Sequence, residues 1–590
     1  MINTRTTALW AGLGMLMIIA HIGLIFYGLV PNLVARPLHL ALILPWVFVF
    51  PAVSSGQRIW GLLLAGGGVA CCLWIALHHQ ELRNQYGFLE GQGQILMALF
   101  LLALVLEAAR RMIGWPLPLV AALSLAYGLF GQHIPGQFGH SGTPLASFLG
   151  TLTIAEGGLW GSLTGVSVGV VSIFVIFGAV LNAGEAGQGF MNVAAGAAGR
   201  LRGGAAKVSV LSSALFGSIS GSASANVAST GAVTLPAMVK LGYPKRLAAA
   251  VEAVASSGGQ IMPPLMGAGA FVMVELTGVP YLEIMLAATL PAVLFFFAVW
   301  IGIDAFATRH ALKGIPKDEQ PALRDILITS CFFALPFSVL LLGMFALRLT
   351  PQYAAALAIF VGIALLAFNG QTGLDLRQGA QRLSQTCISA GRQIAMIGAI
   401  IICASIVIGV LGITGLGVKL TSFIVSGSGG ALWPSLLLTA LACLLLGMEV
   451  PTTAAYVICV SVAGPALTDL GLDPLQAHLF VFWFALLSTI TPPVCGAVFI
   501  AAGMIGENWL KVALSAMALG IGLYFIPLGM IANPQIIRLG DAPLEALIAF
   551  AKMAFGLACL SFGLISNYHL ALRLGLILLG LGVFFAGAFI

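Results

Sequence analysis

The sequence contains few charged residues: Asp, Glu, Lys and Arg make up only 7% of its 590 residues, whereas hydrophobic residues make up 60%. A typical soluble protein carries roughly 25% charged residues. So little polar surface excludes a soluble globular chain, because most side chains must face lipid or other buried helices. We therefore expect an all-α polytopic membrane protein in contact with membrane lipid. The net charge of +6 lies mainly in predicted cytoplasmic loops and does not indicate a nucleic-acid partner.

Motifs of enzymatic chemistry are also missing. The sequence has no Walker A motif, no His-Glu-x-x-His motif and no convincing nucleophile elbow, which disfavours ATP-driven transport by this chain alone and gives no sign of an enzyme. Its nine cysteines lie in apolar segments without metal-ligand spacing, so we expect small core residues and no metal site other than one for Na⁺. We expect His21 and His478 to be packed or hydrogen-bonded. No cleavable signal peptide is predicted, because the first apolar segment is long enough to span and lacks a small-residue cleavage site.

The most informative feature is an internal duplication. The stretch IMPPLMG at 261–267 returns 229 positions later as ITPPVCG at 490–496. A second Pro/Gly cluster at 235–242 returns at the same offset, at 464–471. Both copies lie in strongly hydrophobic sequence, where a duplicated helix breaker points to the binding site of a transporter.

Thirteen apolar segments and two compound regions organise the chain. Each compound region, about 205–278 and 435–503, is predicted to form a hairpin followed by a broken helix. The apolar segments lie near 8–30, 38–54, 58–78, 92–113, 115–131, 166–186, 284–308, 325–347, 351–368, 391–411, 512–533, 544–565 and 571–589.

The distribution of basic residues predicts the orientation. With a cytoplasmic N-terminus, most of the 25 Lys and Arg residues fall in cytoplasmic loops, as the positive-inside rule requires, and the loop at 132–165 has none. The hairpin near 208–240 then enters from the cytoplasm and the one near 436–468 from the opposite side. The repeats, about 166–300 and 391–533, are therefore predicted to have inverted topology, with two broken elements face to face at the membrane midplane.

Polar residues crowd around the first break. Five of the eleven residues at 216–226 are Ser or Asn, and Gly217 and Gly221 permit a tight turn. Such a tip offers the oxygen ligands that Na⁺ uses, although small residues at this density are also typical of close helix packing. In the next helix, Pro263 and Pro264 free carbonyl groups one turn earlier, which must line a cavity or bind an ion.

One acidic residue stands out in each repeat. Glu252 lies in an apolar segment, where a carboxylate is costly; it could carry a coupling proton, partner a cation, or pair structurally with Arg246. Glu449, the only acidic residue between Asp375 and Asp469, is expected at the turn of the second hairpin, beside Thr and Ser residues that again flank a break. We interpret both as candidate coupling carboxylates.

Long stretches resemble the membrane component of tripartite ATP-independent periplasmic (TRAP) transporters, most closely the fused permeases of the TAXI subgroup. The similarity runs from about residue 90 to 535, and the first 90 residues match by position and hydropathy only. The matching stretches are LEAARRMIGWPLPLVAALSLAYGLFG (106–131), FGSISGSASANVASTGAVTLPAMVKLGYP (216–244), EAVASSGGQIMPPLMGAGAF (252–271), PTTAAY (451–456) and TPPVCGAVFIAAG (491–503).

The resemblance implies a secondary transporter of the bacterial inner membrane with an elevator-type mobile domain. A periplasmic solute-binding protein would deliver an organic acid, dicarboxylate- or glutamate-like, and an ion gradient, Na⁺ or H⁺, would drive uptake. It implies a small-subunit-like four-helix scaffold (1–113), a transport and frame domain (114–535) and a C-terminal two-helix extension (536–590). The segments at 284–308 and 325–347 would belong to the frame, and the extension is expected to pack against the scaffold.

The same resemblance, together with the residues above, assigns candidate ligands on both hairpins and both breaks. Candidate cation ligands are Ser220, Ser222, Asn226, Ser256, Ser257, Gly258, Glu449, Thr452, Thr453, Ser488 and Thr491. Candidate substrate-binding residues are Ser218, Ser224, Gly259, Pro263, Pro264, Pro451, Thr489, Pro492 and Pro493.

Two departures from the family pattern bear on the coupling ion. Glu449 stands where the family often has Gly, and Thr489 where it often has an acid. We hypothesise that Glu449 replaces the lost charge, and a lipid-buried glutamate can carry a proton instead of pairing with Na⁺.

Two other functions are considered. A stand-alone carboxylate/cation symporter would have the same architecture and no binding protein. An intramembrane enzyme would need a nucleophile and a base, or metal ligands, at membrane depth. The only candidate pair is Glu252 and Glu449, and no His, Asp or motif supports it.

Overall fold

The computed structural model describes residues 4–370, 373–447, 452–493 and 495–586, without the side chains of residues 4–6 and of Ser220. In these ranges the chain is almost wholly helical, and its only sheet is the short antiparallel hairpin of β1 (Phe368–Asn369) and β2 (Gly373–Leu374). Eight helical stretches of the described chain, two of them made of consecutive helices, are long and apolar enough to cross a membrane. The prediction of an all-α polytopic membrane protein is therefore confirmed.

The helices are numbered in chain order. The first fifteen are α1 (Thr4–Tyr27), α2 (Asn32–Phe48), α3 (Ser55–Leu77), α4 (His79–Asn84), α5 (Gly91–Ile113), α6 (Pro116–Phe130), α7 (Leu145–Thr153), α8 (Ser162–Val166), α9 (Ser172–Ala183), α10 (Ala186–Ala198), α11 (Gly204–Ser220), α12 (Ala223–Lys240), α13 (Lys245–Gly258), α14 (Gly267–Thr277) and α15 (Tyr281–His310). The rest are α16 (Leu323–Phe345), α17 (Pro351–Leu365), α18 (Leu376–Thr414), α19 (Leu416–Gly427), α20 (Leu432–Leu446), α21 (Thr452–Asp469), α22 (Pro474–Leu487), α23 (Gly496–Ile505), α24 (Trp509–Leu519), α25 (Ile521–Ala532), α26 (Pro543–Ile565) and α27 (Leu570–Phe585).

Most apolar segments of the sequence become helices, with three kinds of correction. The segment predicted at 391–411 is part of the 39-residue helix α18, whose first turns carry polar residues that a hydropathy window excludes. The segment predicted at 512–533 is two helices, interrupted at Gly520. The sequence analysis placed loops where α7, α10 and α19 lie, because each of these helices is too short to be recognised as an apolar span.

The helix bounds repeat with the spacing of the sequence motifs. Helix α12 begins and ends 229 residues before α21, and α13 begins and ends 229 residues before α22. The first residue of α14 also precedes that of α23 by 229 residues. The duplication inferred from the Pro/Gly clusters therefore extends to the local structure.

The described chain divides into two compact units. The first contains Met1–Gly184, Leu335–Ser435 and Ser461–Ala466. At its centre α18 packs against α1, α2, α5, α6 and α9. Glycines allow close approach: a methyl group on Gly391 would lie 2.3 Å from the Trp46 ring. The buried His21 is hydrogen-bonded to the buried His39 at 2.8 Å, so the prediction that His21 is packed or hydrogen-bonded is confirmed.

The second unit contains Glu185–Ala334, Leu436–Val460 and Leu467–Ile590. Helices α11, α12 and α13 pack against one another, and α23 and α24 pack against α13. Helix α15 belongs to this unit and contacts α11, α13 and α14, whereas the sequence placed it with the frame. The last two helices pack against each other, and α26 packs against α15 of the same unit, whereas their packing on the N-terminal scaffold stays a prediction. Gly556 and Gly580 bring α26 and α27 together at backbone distance.

Candidate functional site

The first hairpin turns where the sequence predicted. Helix α11 ends at Ser220 and α12 begins at Ala223. Gly221 has φ of +59°, a left-handed conformation that favours glycine. The hydroxyl oxygen of Ser222 accepts a hydrogen bond from the backbone N–H of Ala225 at 3.3 Å and caps α12.

The first break follows one helix later. Helix α13 ends at Gly258, a single 3₁₀ turn follows, and α14 begins at Gly267. The unwinding predicted from the glycines and prolines is therefore present, and the Pro263–Pro264 peptide bond is cis. The buried Tyr281 hydroxyl donates to the carbonyl of Pro264, which satisfies part of the non-helical backbone.

The hairpin and the break pack at backbone distance through glycines. A methyl group on Gly217 would lie 2.4 Å from Gly259 Cα, and one on Gly221 would lie 2.8 Å from Gly267 Cα. Both distances are shorter than any real Cβ contact, so only glycine fits. Beside them, the fully buried Asn226 donates through Nδ2 to the carbonyl of Ser213 at 2.9 Å. It also contacts the carbonyl of Ser256 at 3.4 Å.

The second break has the same form. Helix α22 ends at Leu487, α23 begins at Gly496, and the Pro492–Pro493 bond is again cis. The Thr491 hydroxyl lies 2.7 Å from the hydroxyl of Tyr524. Ser488 donates to a carbonyl of its own helix.

The two breaks meet within the second unit. Thr489 Oγ1 lies 2.8 Å from Ser257 Oγ. A predicted substrate-binding residue of the second break therefore contacts a predicted cation ligand of the first break. A methyl group on Gly496, the first residue of α23, would lie 3.8 Å from the Ser224 hydroxyl near the start of α12. Together with the contact between the hairpin tip and Gly267, this brings the N-termini of α12, α14 and α23 into one region. Such ends present N–H groups and positive dipole to an anion.

Glu252 is fully buried among hydroxyl groups. Its carboxyl oxygens contact side chains on α11, α12 and α13, and among the described residues no cation forms an ion pair with it. The hypothesis of a pair with Arg246 was therefore wrong: that arginine is exposed at the start of α13. The contacts are to Ser209 (2.7 Å), Ser213 (3.4 Å), Ser256 (3.2 Å), and, at the shortest separations, Thr230 and Thr234.

Other predicted residues are less central or are not described. Glu449 and Pro451 lie outside the described residues, as does the side chain of Ser220. Ser218 is buried and donates to a carbonyl of its own helix, and Gly258 packs against a phenylalanine ring. The other predicted residues lie beside the undescribed residues or at the helix breaks. Thr452 and Thr453 are half-buried at the start of α21. At the breaks, Pro263, Pro264 and Pro492 are half-buried and Pro493 is exposed.

The sequence prediction missed several polar groups of this region. Ser209 and Ser213 on α11, and Thr230 and Thr234 on α12, each lie four residues apart and face Glu252. That spacing places both members of a pair on one helix face, which is the signal that could have identified them. Tyr281 gave no comparable local signal.

Comparison with known proteins gives a consistent family. The sequence model of one protein family, described as the tripartite ATP-independent periplasmic transporter, DctM component, matches residues 100–543. A similar protein is the isethionate TRAP transporter permease protein DctMQ of Oleidesulfovibrio alaskensis, 25% identical over 72% of this chain and 70% of that protein. Others are the C4-dicarboxylate TRAP transporter large permease protein DctM of Pseudomonas aeruginosa (25% identical over 57% of this chain and 77% of that protein) and the ectoine/5-hydroxyectoine large permease protein UehC of Ruegeria pomeroyi (22% over 62% and 84%).

Proposed function

The chain belongs to the DctM component family of tripartite ATP-independent periplasmic transporters, and on this premise we propose that it imports an organic acid at the joined helix breaks of its second unit. Members of this family are transporters and not enzymes, and they work with a periplasmic solute-binding protein. The contact between Thr489 and Ser257 is the observation that carries the proposal, because it joins the two breaks into one site.

The proposed substrate is a small carboxylate, dicarboxylate- or glutamate-like. Three helix N-termini converge at the breaks, and they can bind a carboxylate without an intramembrane arginine. The name of one similar permease, for C4-dicarboxylate, supports this class. The isethionate named for another is a sulfonate, which is also an organic anion but has no carboxyl group.

The proposed driving force is an ion gradient, of Na⁺ or H⁺, with elevator-type movement of the transport domain. The hydroxyl and carbonyl oxygens of Ser222, Asn226, Ser256 and Ser257 are the type of ligand that a hard cation prefers. A bound cation would offset the charge of the substrate. Membership of the TAXI subgroup is part of the same proposal.

The proposed setting is the bacterial inner membrane with the N-terminus in the cytoplasm. Residues 1–113 would act as the fused small subunit, which agrees with the fused DctMQ name of one similar protein. The solute-binding protein would dock on the extracytoplasmic side, for which the loop region 132–165 is proposed because it lacks Lys and Arg.

The test is uptake by the purified full chain in proteoliposomes. Radiolabelled succinate, malate, 2-oxoglutarate and glutamate are offered with and without a periplasmic solute-binding protein, which is first sought among the genes beside this one. A Na⁺ gradient, a pH gradient or neither is imposed. We expect accumulation of one acid only with the binding protein and one of the gradients.

The other outcomes are equally informative. Gradient-driven uptake without the binding protein would favour the stand-alone symporter. Failure to accumulate any acid under all conditions, with the protein folded, would contradict the proposal.

A further inference from the structure

We propose that Gln260, in the single 3₁₀ turn of the first break, binds the second carboxylate of a dicarboxylate substrate through its side-chain amide group. The proposal rests on the transport function proposed above, and it narrows the substrate class from dicarboxylate- or glutamate-like acids to dicarboxylates. Gln260 lies between Gly259 and Pro263 in the sequence, but it is not among the candidate ligands that the sequence analysis assigned.

Gln260 is buried without a hydrogen-bond partner. Its side chain is only 3% exposed, and its amide group forms no hydrogen bond with any residue that the structure describes. Both amide atoms nevertheless keep a trace of accessible surface, so a water-sized group can reach them. Buried polar side chains nearly always have a partner, so this exception indicates a ligand or a water molecule at the amide group. The other buried Asn and Gln side chains of the described chain are all hydrogen-bonded, and these are Asn192, Asn226, Gln476 and Asn533.

The backbone places Gln260 on the side of the first break that faces the second break. Gly258 and Gly259 both have right-handed helical backbone angles, so the helical course of α13 continues through the 3₁₀ turn. Residues three positions apart then lie on the same side of the helix, which places Gln260 on the side of Ser257. The Ser257 hydroxyl is the group that contacts Thr489 of the second break. Gln260 therefore lies beside the joined breaks, where the N-termini of α12, α14 and α23 converge.

The repeat relation singles out the same position. The residue 229 positions after Gln260 is Thr489, so each break carries a polar side chain at the corresponding place. Thr489 Oγ1 is already within hydrogen-bond distance of the Ser257 hydroxyl and of the carbonyl of Leu486, at 2.8 and 2.6 Å. Gln260 has no such neighbour among the described residues. Its amide group therefore keeps its full hydrogen-bonding capacity for a ligand.

The chemistry of an amide group in this place suits a carboxylate. The amide nitrogen has two N–H donors, which an anion can accept, whereas a cation bound by the amide oxygen would leave them unpaired. Residues 250–270 and 486–506, which contain both breaks, have no Lys or Arg, so neutral donors must bind a carboxylate there. One carboxylate of the substrate would bind at the converging helix N-termini and the other at Gln260.

An amino acid is served less well at this position. The ammonium group of an amino acid has only donors and needs an anionic partner or several acceptors. Glu252 is the only acidic residue in the same two stretches, and hydroxyl groups of three helices already enclose its carboxyl group. The described part of the site therefore favours two carboxylates over one carboxylate and one ammonium group.

The test is thermal stabilisation of the purified full chain by added acids at a constant Na⁺ concentration. Succinate, malate and 2-oxoglutarate are compared with glutamate and with butyrate, which has the chain length of succinate and one carboxylate fewer. A ligand that binds only the folded state raises Tm with its concentration, so a titration gives its apparent Kd. We expect a dicarboxylate to stabilise the wild type, and butyrate to do so much more weakly.

Gln260→Met is the decisive variant, because it keeps the length of the side chain and removes both hydrogen-bonding groups. We expect its Tm without ligand to equal or exceed that of the wild type, because no hydrogen bond within the protein is lost. Its affinity for the dicarboxylate should fall about tenfold or more, as for the loss of a hydrogen bond to a charged group, and its affinity for butyrate should not change. Gln260→Glu should abolish dicarboxylate binding, because two carboxylates would then face each other.

Gln476→Met is the matched control. Gln476 is also buried in the second unit, but it donates to the carbonyl of Met530 at 2.8 Å. Its replacement should lower the Tm and leave the relative affinities for the acids unchanged. The two variants thus separate a ligand-binding amide group from a structural one.

Four results would overturn the proposal. A lower Tm of ligand-free Gln260→Met would show that the amide group has a structural partner. Unchanged dicarboxylate affinity in folded Gln260→Met would remove the role of Gln260 and leave the proposed function standing. Loss of stabilisation by NaCl in this variant, with acid affinities unchanged, would assign the amide oxygen to the cation. Tighter binding of glutamate than of any dicarboxylate by the wild type would refute the substrate class. A wild-type protein that none of the acids stabilises would contradict the proposed function itself, and the role of Gln260 with it.

Discussion

Replacing Gly217 with alanine should separate the first hairpin from the first helix break. The added methyl group would lie 2.4 Å from Gly259 Cα and 2.7 Å from Asn226 Nδ2. The ordinary range of such contacts begins at 3.4 Å, so the two backbones must move apart by about 1 Å, which also pulls Asn226 from its carbonyl acceptors. Overpacking of this kind costs about 1–3 kcal/mol, against the roughly 0.5–1 kcal/mol that alanine normally contributes over glycine in a helix.

The assay combines thermal unfolding of the purified protein with uptake in proteoliposomes. A loss of 1 kcal/mol lowers Tm by roughly 2–4 °C in domains of 150–250 residues, so we expect a lower Tm and a larger loss of uptake, since the hairpin tip moves with the backbone. Gly503→Ala is the control: it lies in α23, and an added methyl group meets no heavy atom within 4 Å. Its Tm should be equal or slightly higher. A Gly217→Ala protein with unchanged Tm and full uptake would refute the close packing described here.

Two further substitutions test the contacts at the breaks. Thr489→Val keeps the side-chain volume but removes the contact with Ser257, which is worth about 1 kcal/mol; we expect reduced uptake with a small fall in Tm, and unchanged kinetics would contradict a role for the joined breaks. Tyr281→Phe removes the donor to the carbonyl of the half-buried Pro264, at a cost of about 0.5–1.5 kcal/mol. A Tm equal to that of the wild type would show that this hydrogen bond does not hold the first break.

The positions of the helices and of both breaks could be predicted because their signals are local. A span needs only a run of apolar residues, and a break needs only adjacent Pro and Gly residues. Fixed spacing between two such breaks also identified the duplication. The exceptions are local as well: the polar first turns of α18 and the interruption at Gly520 fall below the resolution of a hydropathy window.

The surroundings of Glu252 could not be predicted, because they depend on which helices pack together. The sequence left a proton, a cation or Arg246 as partners, and the structure decides against Arg246 because hydroxyl groups of three helices enclose the carboxyl group. For the same reason the neighbours of α15 could not be predicted: its apolar faces fit many helices, and hydropathy does not select one.

The central claim is that both helix breaks form one substrate site, and hydrogen exchange of their backbone amides tests it most directly. Exchange is followed by mass spectrometry in peptides covering 256–270 and 486–500, with and without the acid that the uptake screen identifies, and with α26 as the internal reference. We predict that the acid slows exchange in both peptides together and leaves α26 unchanged. Slowing in one repeat only, or in neither, would contradict the claim.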